Sequence, residues 1–282
     1  MRQLAWQVGL DIQNGYARAI AVQRRRSGWQ LRHWWQQPLP QTIMRQGILH
    51  ETEQLIAILS RWRACLPVRI SLRICLPAQR MIQVRLPTPD NRLCEPHRSA
   101  FIRASAARQL PLAVECLAID YRAAPGDDRQ LIVTAARQQE LTQWQDCLAQ
   151  AGLIPEVVEL MPCALQSSAH AAGLPAESLL LHRLLDGWIW ASPYGLPFEF
   201  GVLDNEEAGD PARLYPRIFE DYRAHKLCNT DIYYSGICCQ PLPDGMQPWS
   251  PFAAFSQMSP PLPADTGVFA VAAGLAVRPG DC

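Results

Sequence analysis

The chain has almost no lysine: Lys226 is the only one in 282 residues, and arginine carries nearly all of the positive charge. A phosphate loop of the GxxxxGK[ST] kind is therefore impossible. Net charge is missing too. With 26 basic and 26 acidic residues, no overall field draws in a nucleic-acid backbone or an anionic bilayer, so no direct nucleic-acid contact is expected. The ten cysteines include no CxxC pair and no matching histidine ladder, which leaves no zinc site, no redox motif and no expected metal. Cys65, Cys75, Cys116, Cys147 and Cys163 lie in apolar or amphipathic segments, where a reduced thiol acts as a small hydrophobe. That usage suits a cytoplasmic protein. The adjacent Cys238 and Cys239 have no assigned role. Long apolar runs are absent as well. Asp11 and Arg18 interrupt the opening segment, and Val268 to Val277 is about half of what a bilayer span requires.

What is present is ordinary globular material, 49% hydrophobic and 18% charged, long enough for two domains. Three strands open the chain, Leu4 to Ile12, Tyr16 to Arg24 and Trp29 to Leu39, with turns at Gln13-Asn14-Gly15 and Ser27-Gly28. Leu55, Ile58, Leu59, Trp62 and Leu66 then recur at helical spacing, and Val68 to Leu76 alternates as a strand does before Pro77. The order is βββαβ. A compact α/β block follows: strand Arg80 to Leu86, helix His97 to Leu110, strands Val114 to Tyr121 and Gln130 to Ala136, and helix Gln138 to Ala151, stopped by Gly152.

The strand Pro155 to Leu160 and a short helix after Pro162 return the chain to its first core. Strands Leu179 to Leu185, Trp188 to Ser192 and Leu196 to Leu203, a helix Pro211 to Leu227 and a strand Asp231 to Tyr234 repeat the βββαβ order. The segment Gln240 to Pro263, with seven prolines, is expected to be an irregular surface loop. Trp34 and Trp35 place one ring on each face of a strand, so that one of them is expected to be exposed.

Val8-Gly-Leu-Asp-Ile12, a turn and Tyr16-Ala-Arg-Ala-Ile-Ala-Val22 resemble the start of the type IV pilus assembly PilM family, a relative of FtsA. Ile82-Gln-Val-Arg-Leu-Pro87, Ala107-Arg-Gln-Leu-Pro111, Leu131-Ile-Val-Thr-Ala-Ala-Arg137, Ala151-Gly-Leu153 and Val157-Val-Glu-Leu160 are similar to elements of the FtsA-type insert. Phe269 to Arg278 is similar to the family's last helix. The resemblance spans nearly the whole chain and is greatest to the HofM branch. It implies an actin-like (ribonuclease H-like) α/β fold of two lobes. Residues 1–77 and 154–178 would form lobe 1, 78–153 the insert, 179–266 a reduced lobe 2, and 267–282 a C-terminal helix and tail.

The same resemblance implies a nucleotide site whose two hairpin turns need small residues to bring backbone amides to phosphate, with an Asp organising metal-bound water. Asp11, Asn14 and Gly15 on the first turn and Ser235 and Gly236 on the third element would be its remnants. Gln13 replaces a family glycine, and His182, Arg183 and Leu184 fall where the second turn needs small residues. The expected cofactor is none, with weak ATP and magnesium binding left open. Asp11 suits equally a carboxylate that steadies the turn. No catalytic residue stands out.

The family's role implies a non-catalytic cytoplasmic adaptor of a pilus-like DNA-uptake apparatus. It would hold the cytoplasmic tail of a PilN- or HofN-like inner-membrane protein in the cleft between lobe 1 and the insert, reaching the membrane only through that partner. The alternative is an active actin-like ATPase.

Overall fold

Asn14 and Gly15, the glycine at φ +79°, reverse the chain between strand β1 (Trp6–Gln13) and strand β2 (Tyr16–Arg25). A two-residue turn of this kind fixes the register, so Gln13 pairs with Tyr16 and Asp11 with Arg18. Strand β3 (Gly28–Pro38) continues the meander. A small hairpin, β4 (Met44–Arg45) with β5 (Ile48–Leu49), leads into helix α1 (Thr52–Arg63) and strand β6 (Ile70–Leu76), which runs parallel beside β1. The computed structural model describes residues 5–124, 127–194, 198–204, 231–237 and 245–278. The helix expected over Pro211 to Leu227 and the pair Cys238 and Cys239 lie outside them.

A second, three-stranded sheet forms from β7 (Met81–Pro87), β8 (Leu117–Ala124) and β9 (Asp127–Arg137), with β9 central and helix α2 (His97–Ala107) packed on it through Ile102 and Ala106. Helix α3 (Gln138–Gln150) follows and puts Trp144, Cys147 and Leu148 into one core with Leu55 and Leu59 of α1 and Val8, Leu10 and Leu72 of the first sheet. Strand β10 (Pro155–Leu160) then joins the edge of the first sheet beside β6, and helix α4 (Met161–Ala171) crosses to the other half.

There, β11 (Leu179–Arg183), β12 (Gly187–Ala191) and β13 (Phe200–Asp204) form a meander, and β14 (Ile232–Gly236) lies parallel beside β11. The spatial order β6-β1-β2-β3 thus recurs as β14-β11-β12-β13. This is the strand order of the expected βββαβ repeat, the helix of whose second copy lies outside the described residues.

The proline-rich stretch departs from expectation. Of Gln240 to Pro263, the described part holds strand β15 (Met246–Pro248), beside β14, and strand β16 (Phe255–Gln257), which pairs parallel with β3 as the last strand of the first sheet. Between them, Ser250 accepts from the Phe252 amide and starts a 3-10 turn with Pro251 at its first position. Phe252 and Phe255 are buried. Isolated aromatic anchors, rather than periodicity, hold this segment.

Helix α5 (Ala270–Val277) is buried on every side and has only small or aliphatic residues, as a helix enclosed by protein must. It lies between β1, β2 and α4. A Cβ on Gly9 would fall 2.0 Å from the Ala272 carbonyl oxygen, and one on Gly274 would fall 1.8 Å from that of Ala164. Arg73, buried in β6, donates from Nη1 to the carbonyls of Leu275, Ala276 and Arg278, satisfying the end of α5. Trp34 points to this side, edge-on to Phe269 with Nε1 donating to the Pro261 carbonyl. Trp35 points to the other side and stacks on Trp62 at 4.8 Å. The rings do occupy opposite faces, but both are packed and neither is exposed.

Cys75, Cys147 and Cys163 are buried, whereas Cys65 and Cys116 are exposed, each standing one residue before a buried leucine, Leu66 or Leu117, that takes the core position. No helix among the described residues is long and apolar enough to cross a membrane.

Candidate functional site

The ends of β1 and β11 and the turns that follow them face each other across a cleft between the halves. Asp11 is buried, and its Oδ1 accepts from Gln13 Nε2 at 2.5 Å and from the Cys75 thiol at 3.6 Å. Burial raises its carboxyl above the usual range, against the opposing pull of the Gln13 bond and the Arg18 charge. Gln13 also reaches Met161 Sδ at 3.9 Å. Asp11 is therefore knit into the junction of β1, β6 and α4. Asn14 Oδ1 is buried and has no hydrogen-bond partner among the described residues.

Ser235 and Gly236 are also brought to the cleft, but they serve β11. The registers place Ser235 beside His182 and Gly236 beside Arg183. His182 Nδ1 and Ser235 Oγ share a buried hydrogen bond of 2.9 Å, and burial, aided by the Arg18 charge, pushes the imidazole down to about 3. Gly236 has φ +100°, and a Cβ there would lie 2.3 Å from the Arg183 carbonyl oxygen, so this glycine permits strand packing rather than ligand approach. Arg183 lays its guanidinium over the Trp188 ring at 4.5 Å.

The second turn is closed by the Leu184 amide donating to the Gly187 carbonyl, with Leu185 and Asp186 at its tip. Leu184 is buried, and Leu185 rather than His182, Arg183 or Leu184 confronts the first turn. Its Cδ1 sits 2.4 Å from where a Cβ on Gly15 would be. Behind it, Arg18 is buried on β2 with its guanidinium over the Tyr16 ring at 4.6 Å, near the charges of Asp11 and Asp265. A phosphate cradle needs opposed backbone amides with open space between them. Around Asp11, Asn14, Gly15, Ser235 and Gly236 stand a leucine, an arginine and a histidine in place of the small residues that such a cradle needs. Among the described residues no group of three metal-binding side chains occurs.

Sequence reasoning missed Arg18 and Leu185. The two-residue turn already pairs residue 11 with residue 18, so the register could have found the arginine; no comparable signal marks Leu185. Because Leu185 is 44% exposed, Leu185→Ala is expected to cost only about 1 kcal/mol in urea unfolding, well below a core leucine.

A second concavity, of about 340 Å³, lies between two strand edges. Strand β10 ends the first sheet and β8 ends the three-stranded sheet, and no described strand pairs with the outer side of either. Met81, Ile119, Ile132, Leu141, Val158 and Leu160 give it an apolar lining. Its polar groups are fixed by neighbours. Glu159 pairs with Arg278 Nε at 2.9 Å, and Arg122 donates to the Cys163 sulfur at 2.9 Å with its guanidinium 5.4 Å from the Phe198 ring centre. Two free edges flanking an apolar floor suit an extended peptide, whose backbone can join an edge while alternate side chains fill the floor.

Known proteins are similar to this chain in sequence or fold. The chain is 29% identical over 275 residues to the DNA utilization protein HofM of Escherichia coli K12, covering 96% of each. It superposes on a solved PilM-PilN type IV pilus biogenesis complex with a TM-score of 0.69 at 18% identity, covering 99% of this chain and 100% of that one. The cytoplasmic domain of EpsL, an inner membrane component of the type II secretion system of Vibrio cholerae, follows at a TM-score of 0.57 and 11% identity, over 88% and 91% of the two chains. The fold is the actin-like one. The family model for type IV pilus assembly protein PilM matches residues 9–178, and the chain belongs to the PilM family.

Proposed function

We propose that the chain is a non-catalytic cytoplasmic adaptor of a pilus-like DNA-uptake apparatus, and that it holds the cytoplasmic tail of a PilN- or HofN-like inner-membrane protein in the groove between β8 and β10. The groove carries this reading: two strand edges that no described strand pairs face one apolar floor. The relative named for DNA utilization and the solved complex that contains PilN support the apparatus and the partner. Leu185 at the tip of the second turn and the buried Arg18 beside the first, where a phosphate cradle needs small residues, support a role without nucleotide hydrolysis.

Calorimetric titration with a peptide of the partner's first dozen or so residues is the test. Binding is expected at micromolar strength or better, and a hundredfold excess over Kd should raise stability by about 2.7 kcal/mol. Val158→Arg puts a charge on the groove floor and should weaken binding at least about tenfold, since an unpaired charge is costly to desolvate. No heat and no shift in Tm with the wild-type chain would defeat the proposal. Phosphate release from ATP that Asp11→Ala abolishes would favour an active ATPase instead.

A further inference from the structure

The first sheet has one rim at which β10, β6, β1 and β3 begin and β2 ends. The registers fix this: Trp6 lies beside Ile70, Gln7 opposite Val22, Pro155 beside Leu72 and Arg24 opposite Trp29. At the usual strand spacing the rim runs roughly 20 Å from β10 to β3. It bears Arg24, Arg25, Arg26, Arg32 and Arg69, all exposed, and none of them forms an ion pair with a described residue. The one carboxylate on these strand ends, Glu156, accepts from Ser71 Oγ.

Two aliphatic side chains project from the same rim: Val68 is 90% exposed and Ile154 77%, more than any other large apolar side chain described. They are held rather than frayed. Arg63 donates from Nε to the Gly152 carbonyl and from Nη2 to the Val68 carbonyl, fastening the two loops side by side. Trp29 and Trp6 complete the rim, with the guanidinium of Arg24 over the first ring at 4.8 Å and that of Arg32 over the second at 5.2 Å.

On a chain of zero net charge, five exposed arginines with no ion pair among the described residues, set around two projecting aliphatic groups, call for a surface that is both anionic and apolar. A bilayer meets both demands: headgroup phosphates take the guanidinium groups, the acyl boundary takes Val68 and Ile154, and tryptophan suits the headgroup level. Nucleic acid meets only the first. It would use open ring faces for stacking, whereas both tryptophans here carry an arginine, and it would leave the two aliphatic groups in water. We propose that this rim docks directly on an anionic lipid bilayer, a contact made in addition to any membrane partner. The surface stands on its own observations and not on the adaptor reading. The two readings are compatible in space, since β10 starts at the rim and ends in the groove about 20 Å away.

Flotation of the full chain with vesicles of phosphatidylglycerol and phosphatidylethanolamine, against vesicles of phosphatidylcholine, tests it without any partner present. Binding to the anionic vesicles alone is expected, and it should be released by salt. The triple variant Arg24→Gln, Arg25→Gln, Arg26→Gln should lower partition about 100-fold, near fivefold for each arginine, and Val68→Ser with Ile154→Ser about tenfold. Arg103→Gln on α2 with Arg108→Gln just past its end, both exposed, should leave it unchanged. Equal partition into both vesicle types, none into either, or an unchanged triple variant would overturn the proposal. So would tighter binding to an oligonucleotide that the triple variant abolishes, which would give the rim to nucleic acid. A failed peptide titration leaves this proposal standing, and failed flotation leaves the adaptor standing.

Discussion

Gly274→Val is expected to destabilise the protein by about 4 kcal/mol or more, enough to leave much of it unfolded, because a domain's whole stability is of order 5–15 kcal/mol. The first carbon of any side chain at this position would lie 1.8 Å from the Ala164 carbonyl oxygen and 2.6 Å from its carbonyl carbon. Neither is the yielding tip of a side chain. To admit the carbon, α4 and α5 must separate, and α5 also presses on Gly9 of β1. Overpacking where side chains can shift costs about 1–3 kcal/mol; here two backbones must move. Urea unfolding measures the loss, and Gly274→Ala should already show most of it. Gly173 serves as a control. It has φ +81° and nothing within 4 Å of an added Cβ, so Gly173→Ala should cost only the backbone strain, about 1 kcal/mol. Equal losses at the two glycines would refute the close approach of the helices.

The second large effect depends on pH. His182 is neutral in the fold, its imidazole pushed down to about 3 by burial, whereas in the unfolded chain it titrates near 6.5. Between those values unfolding takes up a proton, so the stability that His182 contributes is complete above about 6.5 and is lost as pH falls toward 3. By pH 5 the loss amounts to about 2 kcal/mol. Asp11 acts in the opposite sense. Its raised carboxyl takes up a proton on folding, so its contribution is complete below 3.8 and is lost as pH rises through the folded value. His182→Asn separates the two, because Asp11 is present in both proteins and cancels in the difference. Stability curves from pH 7 to pH 5 should converge, the wild type falling about 2 kcal/mol further than the variant. Parallel curves would mean that His182 is already charged or wet in the fold.

The paired tryptophans and the opening turn show what was legible in the sequence. Asn14-Gly15 dictates a two-residue turn, the turn dictates the register, and alternation then decides which residues face inward. These are local rules, and the duplicated meanders followed from them. Asp11, Asn14, Gly15, Ser235 and Gly236 lie at or just past the ends of β1 and β14, since strand ends follow from strand patterns. Their surroundings were not legible. Leu185 meets Gly15 across residues 15 and 185, and a single sequence carries no sign of which side chain crosses a cleft. The strand Phe255–Gln257 was hidden for a related reason: it joins the sheet on the strength of a few buried rings amid prolines, too short to show a period. The exposed Cys65 and Cys116 show the limit of reading burial from composition, because one residue of offset at a segment end moves a thiol from core to solvent.

The seam between α5 and β1 also bears on how the molecule is made. Ribosomal synthesis delivers β1 early, yet the helix that covers its inner face comes only at residues 270–277, and β16, which completes the same sheet, only at 255–257. Until then Gly9, Ile20 and Val22 have no lid on that side, and Arg73 lacks the three carbonyls at the end of α5. The first half of the chain therefore cannot finish folding as it emerges. It must wait, partly open, for the last turns of helix, a long-range closure of the kind that slows folding and leaves nascent chains dependent on chaperones.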